Sequence, residues 1–209
     1  MVGRIIETAA DLAEGMEWLA AREPRFKDLP TLTGPLPLRR RTPGFAALLD
    51  IIMAQQVSVA SANAIWARLE GAGLTAPQPI LAAGEEGLRA CGLSRQKIRY
   101  ALALAGAGTD FDALARHPDA AVIARLDDLP GVGRWTAEIY AMFALGRADV
   151  FAPGDLALQE AARVLFGLPE RPSERTLRQM AEDWSPWRAV AARALWAYYR
   201  VIKSREGIA

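Results

Sequence analysis

Apolar residues along this chain recur at intervals of three and four, and no alternation of apolar with polar residues persists beyond a few positions. A period near 3.6 marks a helix buried along one face, whereas a half-buried strand needs a period of two. The expected fold class is therefore all-α. The spacing predicts helices at Thr8 to Ala20, Phe45 to Gln55, Ser58 to Glu70, Glu85 to Cys91, Ser94 to Ala107, Asp119 to Asp127, Trp135 to Leu145, Asp155 to Phe166, Ser173 to Glu182 and Pro186 to Ser204. The longest connector runs from Pro24 to Pro43 and holds five prolines and Gly34, residues that interrupt helices. A single helix precedes it, so residues 1–43 are expected to pack on a body spanning 44–209 rather than to stand alone. With 209 residues, against about 150 per domain, that body is expected to be one compact, bilobed helical bundle.

Hydrophobic residues make up 52% and charged residues 23%, which excludes the balance of a disordered chain. Cys91 is the sole cysteine. It cannot form an intramolecular disulfide or supply the thiolates of a cluster, so no iron–sulfur cluster and no cysteine-rich zinc site is expected. No apolar segment follows a basic start, and the longest uncharged stretch, Ile51 to Ala67, is broken by Gln55, Gln56, Ser58, Ser61 and Asn63. The expectation is an intracellular protein with no membrane association. The formal charge of +1 is unevenly spread: Gly87 to Thr109 holds Arg89, Arg95, Lys97 and Arg99, and Trp184 to Arg205 holds Arg188, Arg193, Arg200, Lys203 and Arg205, neither with an acid. Such runs provide either a basic face for a polyanion or simply solvated helix faces.

The most specific segment is Leu126-Asp-Asp-Leu-Pro-Gly-Val-Gly-Arg-Trp-Thr-Ala-Glu-Ile139. Val122, Ile123, Leu126 and Leu129 before it, and Thr136, Ile139, Met142 and Phe143 after it, keep helical spacing, so Leu-Pro-Gly-Val-Gly joins two short helices. Gly131 and Gly133 allow close backbone approach, and amides at the start of the next helix converge on an anion, as helix N-termini do for phosphate. The bland reading is an ordinary turn; the whole string, continuing into Arg134, favours a helix-hairpin-helix clamp on one DNA phosphate. Asp155 follows Pro153-Gly154 and precedes Leu158, Ala162 and Leu165 at helical spacing. It therefore reads as an N-cap, a position that also stabilises an ionised carboxylate. Trp196 lies about 240° around its helix from Val190, away from the apolar stripe of Val190, Ala194, Tyr198 and Val201, and shares its side with Arg193, Arg200 and Lys203. Both a nucleic-acid pocket and a second packed face fit that placement. Ser94 caps a helix whose start carries cations. His117 reads as a turn residue and Cys91 as a small buried one.

These segments together resemble the helix-hairpin-helix DNA glycosylases, and in particular their 3-methyladenine-DNA glycosylase II branch. The hairpin is followed by Val150-Phe-Ala-Pro-Gly-Asp155-Leu, similar to the family's catalytic loop, and by Trp184-Ser-Pro-Trp-Arg-Ala-Val-Ala-Ala-Arg-Ala-Leu-Trp196, similar to the branch's terminal helix. Ile52-Met-Ala-Gln-Gln-Val-Ser-Val-Ala60 resembles the DNA-probing loop and Gly92-Leu-Ser-Arg-Gln-Lys97 the phosphate-contacting turn. The match spans about Phe45 to Tyr199, without the N-terminal mixed sheet domain that some members carry.

The resemblance implies Asp155 as the catalytic carboxylate and Asp149 as a bystander. It places Trp135, Trp196, Ile139 and Leu156 in the base pocket. It puts Gly131, Gly133, Arg134, Trp135, Ser94 and Lys97 on DNA, with Gln56 filling the gap left by the flipped base and Val57 beside it. Bifunctional relatives carry a lysine nucleophile where this chain has Trp135, so a monofunctional hydrolase using water is implied. An aromatic there suits a cationic N3- or N7-alkylated purine, with cation–π attraction of about 0.5–2 kcal/mol per contact. Ile139 and Leu156 stand where a tyrosine-lined relative is aromatic; Tyr140 is the nearest substitute, turned about 100° away. No cofactor is required, although carbonyls of Asp127, Leu129 and Val132 map to a family site for Na+ or K+. The implied partner is double-stranded DNA with damaged bases, met by a monomer in the cytoplasm or nucleoid. The implied lesions are 3-methyladenine and 7-methylguanine. The rivals are a glycosylase for deaminated or oxidised bases, a lesion-binding protein without chemistry, and a helical interaction module.

Overall fold

The computed structural model describes residues 2–205. Among them are twelve α-helices and two 3-10 turns, and the extended pairing is limited to one isolated antiparallel bridge, Ile5 with Arg147. The all-α expectation holds. In chain order the helices are α1 (Ala9–Arg22), α2 (Leu29–Thr33), α3 (Phe45–Ala54), α4 (Val59–Gly71), α5 (Pro77–Ala90), α6 (Arg95–Gly106), α7 (Phe111–Ala115), α8 (Asp119–Asp127), α9 (Arg134–Phe143), α10 (Leu156–Phe166), α11 (Glu174–Met180) and α12 (Arg188–Arg205). None of the described helices is long and apolar enough to cross a membrane. The chain divides into two compact units: Arg41–Leu145 forms one, and Gly3–Arg40 joins the chain from Gly146 onward in the other.

In the first unit α3 is the central element. Its sequence, Phe-Ala-Ala-Leu-Leu-Asp-Ile-Ile-Met-Ala, is apolar on nearly every side, and Leu48, Leu49, Ile52 and Met53 are wholly buried. A helix with that composition must be surrounded, and α4, α6 and α9 pack against it. Tyr140, from α9, is fully buried, and its hydroxyl accepts the Gly44 amide (2.9 Å) ahead of α3. Burial pushes its phenol up to about 12. That assignment removes Tyr140 from the pocket, where it was the nearest substitute aromatic, and places it in the core. Sequence spacing located α5 only from Glu85; the helix starts at Pro77, where a first-turn proline is tolerated, and bends at Gly84 (φ 59°).

In the second unit α12 is buried all round at its start, with Ala189 to Ala192, Ala194 and Leu195 at essentially no exposure. Helix α1 approaches it closely at Gly15, where a Cβ would lie 2.7 Å from Val190 and 2.8 Å from Trp187. Phe26, Phe151, Phe166 and Trp184 form an aromatic cluster with centroids 5.4–6.2 Å apart.

This unit also fixes the loop ahead of α10. The Ile6 amide donates to Gly146 O (2.7 Å) and the Ala148 amide to Arg4 O (3.0 Å), while Ala148 O accepts the first-turn amide of Ala189 (2.9 Å). Asp149 takes two bonds from Arg188 (2.7 and 2.9 Å) and one from the Ser185 hydroxyl (2.8 Å). Its carboxylate is thereby committed to holding the loop against α12.

Candidate functional site

The sequence-predicted site residues fall into two groups, one in each unit. In the first unit, α8 ends at Asp127 and a tight turn follows: the Leu129 amide donates to Leu126 O and the Val132 amide to Leu129 O, both at 3.0 Å. Gly131 has φ 84°, a conformation that penalises a Cβ, and its Cα faces the Tyr100 ring so closely that a Cβ would stand 2.3 Å from Cγ. Gly133 differs. Its φ is −84°, and a Cβ there would meet nothing within 4 Å. It is the N-cap of α9 and supplies no side-chain oxygen, so no capping side chain covers the first-turn amides.

Beside this hairpin lies an open cavity of about 660 Å³, lined among others by Gln55, Gln56, Tyr100, Gly131, Trp135 and Thr136. Trp135 and Ile139 sit one turn apart on α9 and are both half-buried. Arg134 pairs with the buried carboxylate of Glu138 (3.1 Å), yet 56% of its side chain remains exposed. Gln56 and Val57 are exposed at the turn between α3 and α4. Ser94 caps α6, accepting the Lys97 amide (3.3 Å).

Lys97 makes a contact within the protein. Its ammonium donates to Met53 O, near the C-terminal end of α3, where helix carbonyls lack partners and favour a cation. Burial lowers its pKa from the usual lysine value. Spacing alone gave no sign of this contact, whose partners are 44 residues apart.

Two residues of this group escaped sequence analysis. Gln55 donates its carboxamide N–H groups to Gly131 O (3.0 Å) and to Thr136 Oγ1 (2.8 Å). Tyr100, which packs on Gly131, accepts a hydrogen bond from Gln96 (2.7 Å), and that bond together with Arg99 draws its phenol below the ordinary value. For Gln55 the available signal was a polar residue directly after a mostly apolar helix, which must find partners if it is not exposed.

In the second unit, Asp155 caps α10. Its Oδ1 accepts the amides of Ala157 (2.9 Å) and Leu158 (3.1 Å) and also the indole N–H of Trp196 (3.1 Å). The cap and the candidate catalytic group are thus the same carboxylate, braced by a tryptophan from α12. The loop before it is closed by the Asp155 amide on Ala152 O (3.0 Å) and by the buried Gln159 side chain, which donates to Pro153 O (2.8 Å). Leu156, next in the chain, is 62% exposed. The basic side expected around Trp196 is thinner than the sequence suggested. Arg193 is 2% exposed, with its guanidinium on Ala189 O (2.9 Å) and Leu38 O (3.5 Å), and burial, followed by Arg40 and Arg39, lowers its pKa to about 10.

Residues 49–186 match the model of the HhH-GPD superfamily base excision DNA repair proteins. The chain belongs to that family. Among individual relatives, this HhH-GPD protein is 28% identical over 202 residues to DNA-3-methyladenine glycosylase 1 of Schizosaccharomyces pombe, covering 91% of this chain and 89% of the relative. Among solved structures it is similar to the Schizosaccharomyces pombe 3-methyladenine DNA glycosylase in complex with abasic DNA, with a TM-score of 0.78 at 28% identity, covering 88% of this chain and 95% of that one. A DNA-3-methyladenine glycosidase from Bacillus halodurans gives a TM-score of 0.79 at 29% identity over 97% and 95% of the two chains. The HhH-GPD match encloses the hairpin and Asp155; Trp196 lies beyond its last residue.

Proposed function

We propose that this protein is a monofunctional DNA glycosylase that extrudes an alkylated purine, 3-methyladenine or 7-methylguanine, from duplex DNA and hydrolyses its N-glycosidic bond. The observation that carries the reading is the Asp155 carboxylate, fixed at the start of α10 by two amides and the Trp196 indole. As the base leaves, C1′ becomes oxocarbenium-like, and a carboxylate that needs no reorganisation stabilises that cation and orients or deprotonates the attacking water. The names of the similar proteins support the substrate class. Trp196, whose indole N–H meets Asp155, offers its ring to a purine made cationic by alkylation, a base that is already a good leaving group.

At the hairpin, the uncapped amides following Gly133 hold a backbone phosphate of the bound duplex. The carbonyls of Asp127, Leu129 and Val132 suit a monovalent cation: they are neutral oxygen donors in one turn, and all three residues line the hairpin cavity. When bound there, Na+ or K+ would add positive charge beside that phosphate. Gln56 and Val57 stand ready to enter the gap in the base stack.

The reaction type is tested at the strand. A Schiff base needs a deprotonated amine aimed at C1′, whereas position 135 holds an indole and Lys97 is turned onto a carbonyl. With an oligonucleotide carrying an alkylated purine, breaks are expected only after hot alkali, and borohydride should trap no protein–DNA adduct. A trapped adduct, or breakage before alkali at the rate of base release, would overturn the monofunctional assignment.

A further inference from the structure

Helix α3 ends at Ala54, and Gln55, Gln56 and Val57 carry the chain to Ser58, the N-cap of α4. Gln56 has φ 57°, a left-handed conformation that a residue with a Cβ keeps only where its surroundings enforce it. Those surroundings are specific. Met53 O receives the Lys97 ammonium from α6, and the Gln55 amide donates to Ile52 O (3.2 Å). The Gln55 side chain spends one N–H on Gly131 O and the other on Thr136 Oγ1, a hydroxyl only 2% exposed on α9.

The acceptors are as informative as the donor. Gly131 O belongs to the hairpin residue whose positive φ and contact with Tyr100 set the hairpin's path, and Thr136 lies in the first turn of α9, where the uncapped amides are. One carboxamide therefore bridges the turn that exposes Gln56 and Val57 to the hairpin and to the helix that follows it. A shift of the hairpin peptides must move Gln55, and a shift of Gln55 must move the strained residue after it.

We propose that Gln55 is a positioning residue that locks the Gln56–Val57 turn in register with the phosphate-holding hairpin, so that gripping the backbone and filling the vacated base position occur as one motion. This rests on the glycosylase reading above. It concerns insertion into paired DNA, because a lesion that is already unpaired requires less of the wedge.

Gln55→Met keeps the length of the side chain and removes both donors. Two duplexes are compared under single turnover, one with the alkylated purine opposite its pairing base and one with the same lesion in a single-nucleotide bulge. Each carries 2-aminopurine beside the lesion to report unstacking. Relative to wild type, the variant should lower the paired-to-bulged ratio of base-release rates about tenfold, the scale of one or two lost hydrogen bonds. The 2-aminopurine rise should slow by the same factor in the paired duplex. An unchanged ratio, whether both rates fall equally or neither falls, overturns the proposal. If Gln55→Met fails to fold by circular dichroism, Thr136→Val carries the same comparison, with one acceptor removed and about a threefold change in the ratio expected. Failure of the wild-type protein to release the base from either duplex counts against the glycosylase reading itself; a normal wild type beside an unchanged variant counts against the coupling alone.

Discussion

Asp155→Asn is expected to fold as the wild type does and to lose base excision by about 10²–10⁴-fold, the range of a positioned general base. Asparagine is as good an N-cap as aspartate. Its side-chain oxygen can still accept the Ala157 and Leu158 amides and the Trp196 indole N–H, which all converge on Oδ1 of Asp155. The substitution thus removes the negative charge and leaves the capping geometry intact. Asp155→Ala would confuse the two roles, since a lost cap costs about 1 kcal/mol by itself. The measurement pairs thermal unfolding with single-turnover release of an alkylated purine. Near-normal release by the folded Asn variant would remove Asp155 from the mechanism.

The two hairpin glycines should fail in opposite ways. Gly131→Ala puts a Cβ into the left-handed region and 2.3 Å from Tyr100 Cγ, near the root of the ring, so a rotamer change offers little relief. A destabilisation of about 2–4 kcal/mol is expected, summing backbone strain and overpacking, and it should appear as a lowered unfolding midpoint. Gly133→Ala, at φ −84° in open space, should leave stability within about 0.5 kcal/mol. It nevertheless adds a methyl group at the residue that immediately precedes the first-turn amides of α9, the proposed phosphate site. DNA affinity should therefore weaken about tenfold or more, as for a lost charge-assisted contact, and the salt dependence should become shallower. Wild-type affinity in a stable Gly133→Ala protein would mean that these amides do not hold the phosphate.

How far the sequence revealed this molecule depended on how local each interaction is. The hairpin was readable because its glycines and the flanking helical spacing all lie between Val122 and Phe143, and Asp155 because capping is a relation between neighbours. Helical phase set Trp196 apart from the apolar stripe, but nothing in α12 disclosed that its indole meets Asp155, 41 positions earlier. The same limit explains why the contacts of two cations were not disclosed by the sequence. Arg193 and Lys97 belong to runs without acids, which read as a basic face for a polyanion or as solvated helix faces, yet Arg193 reaches Leu38 O across 155 residues and Lys97 reaches Met53 O across 44. In both cases a backbone carbonyl is the partner, and carbonyls have no sequence signature. The short helices α2 and α7, five residues each, offer too few positions for a period of 3.6 to register.

The central claim is that this HhH-GPD chain hydrolyses the glycosidic bond of alkylated purines, and chromatographic identification of the free base tests it most directly. Duplexes carrying alkylated, deaminated or oxidised bases, incubated side by side with the wild-type protein, should yield free 3-methyladenine and 7-methylguanine in excess of spontaneous loss, and that excess should vanish with Asp155→Asn. Release confined to deaminated or oxidised bases, or tight binding of alkylated duplex with no free base above the spontaneous rate, would contradict it.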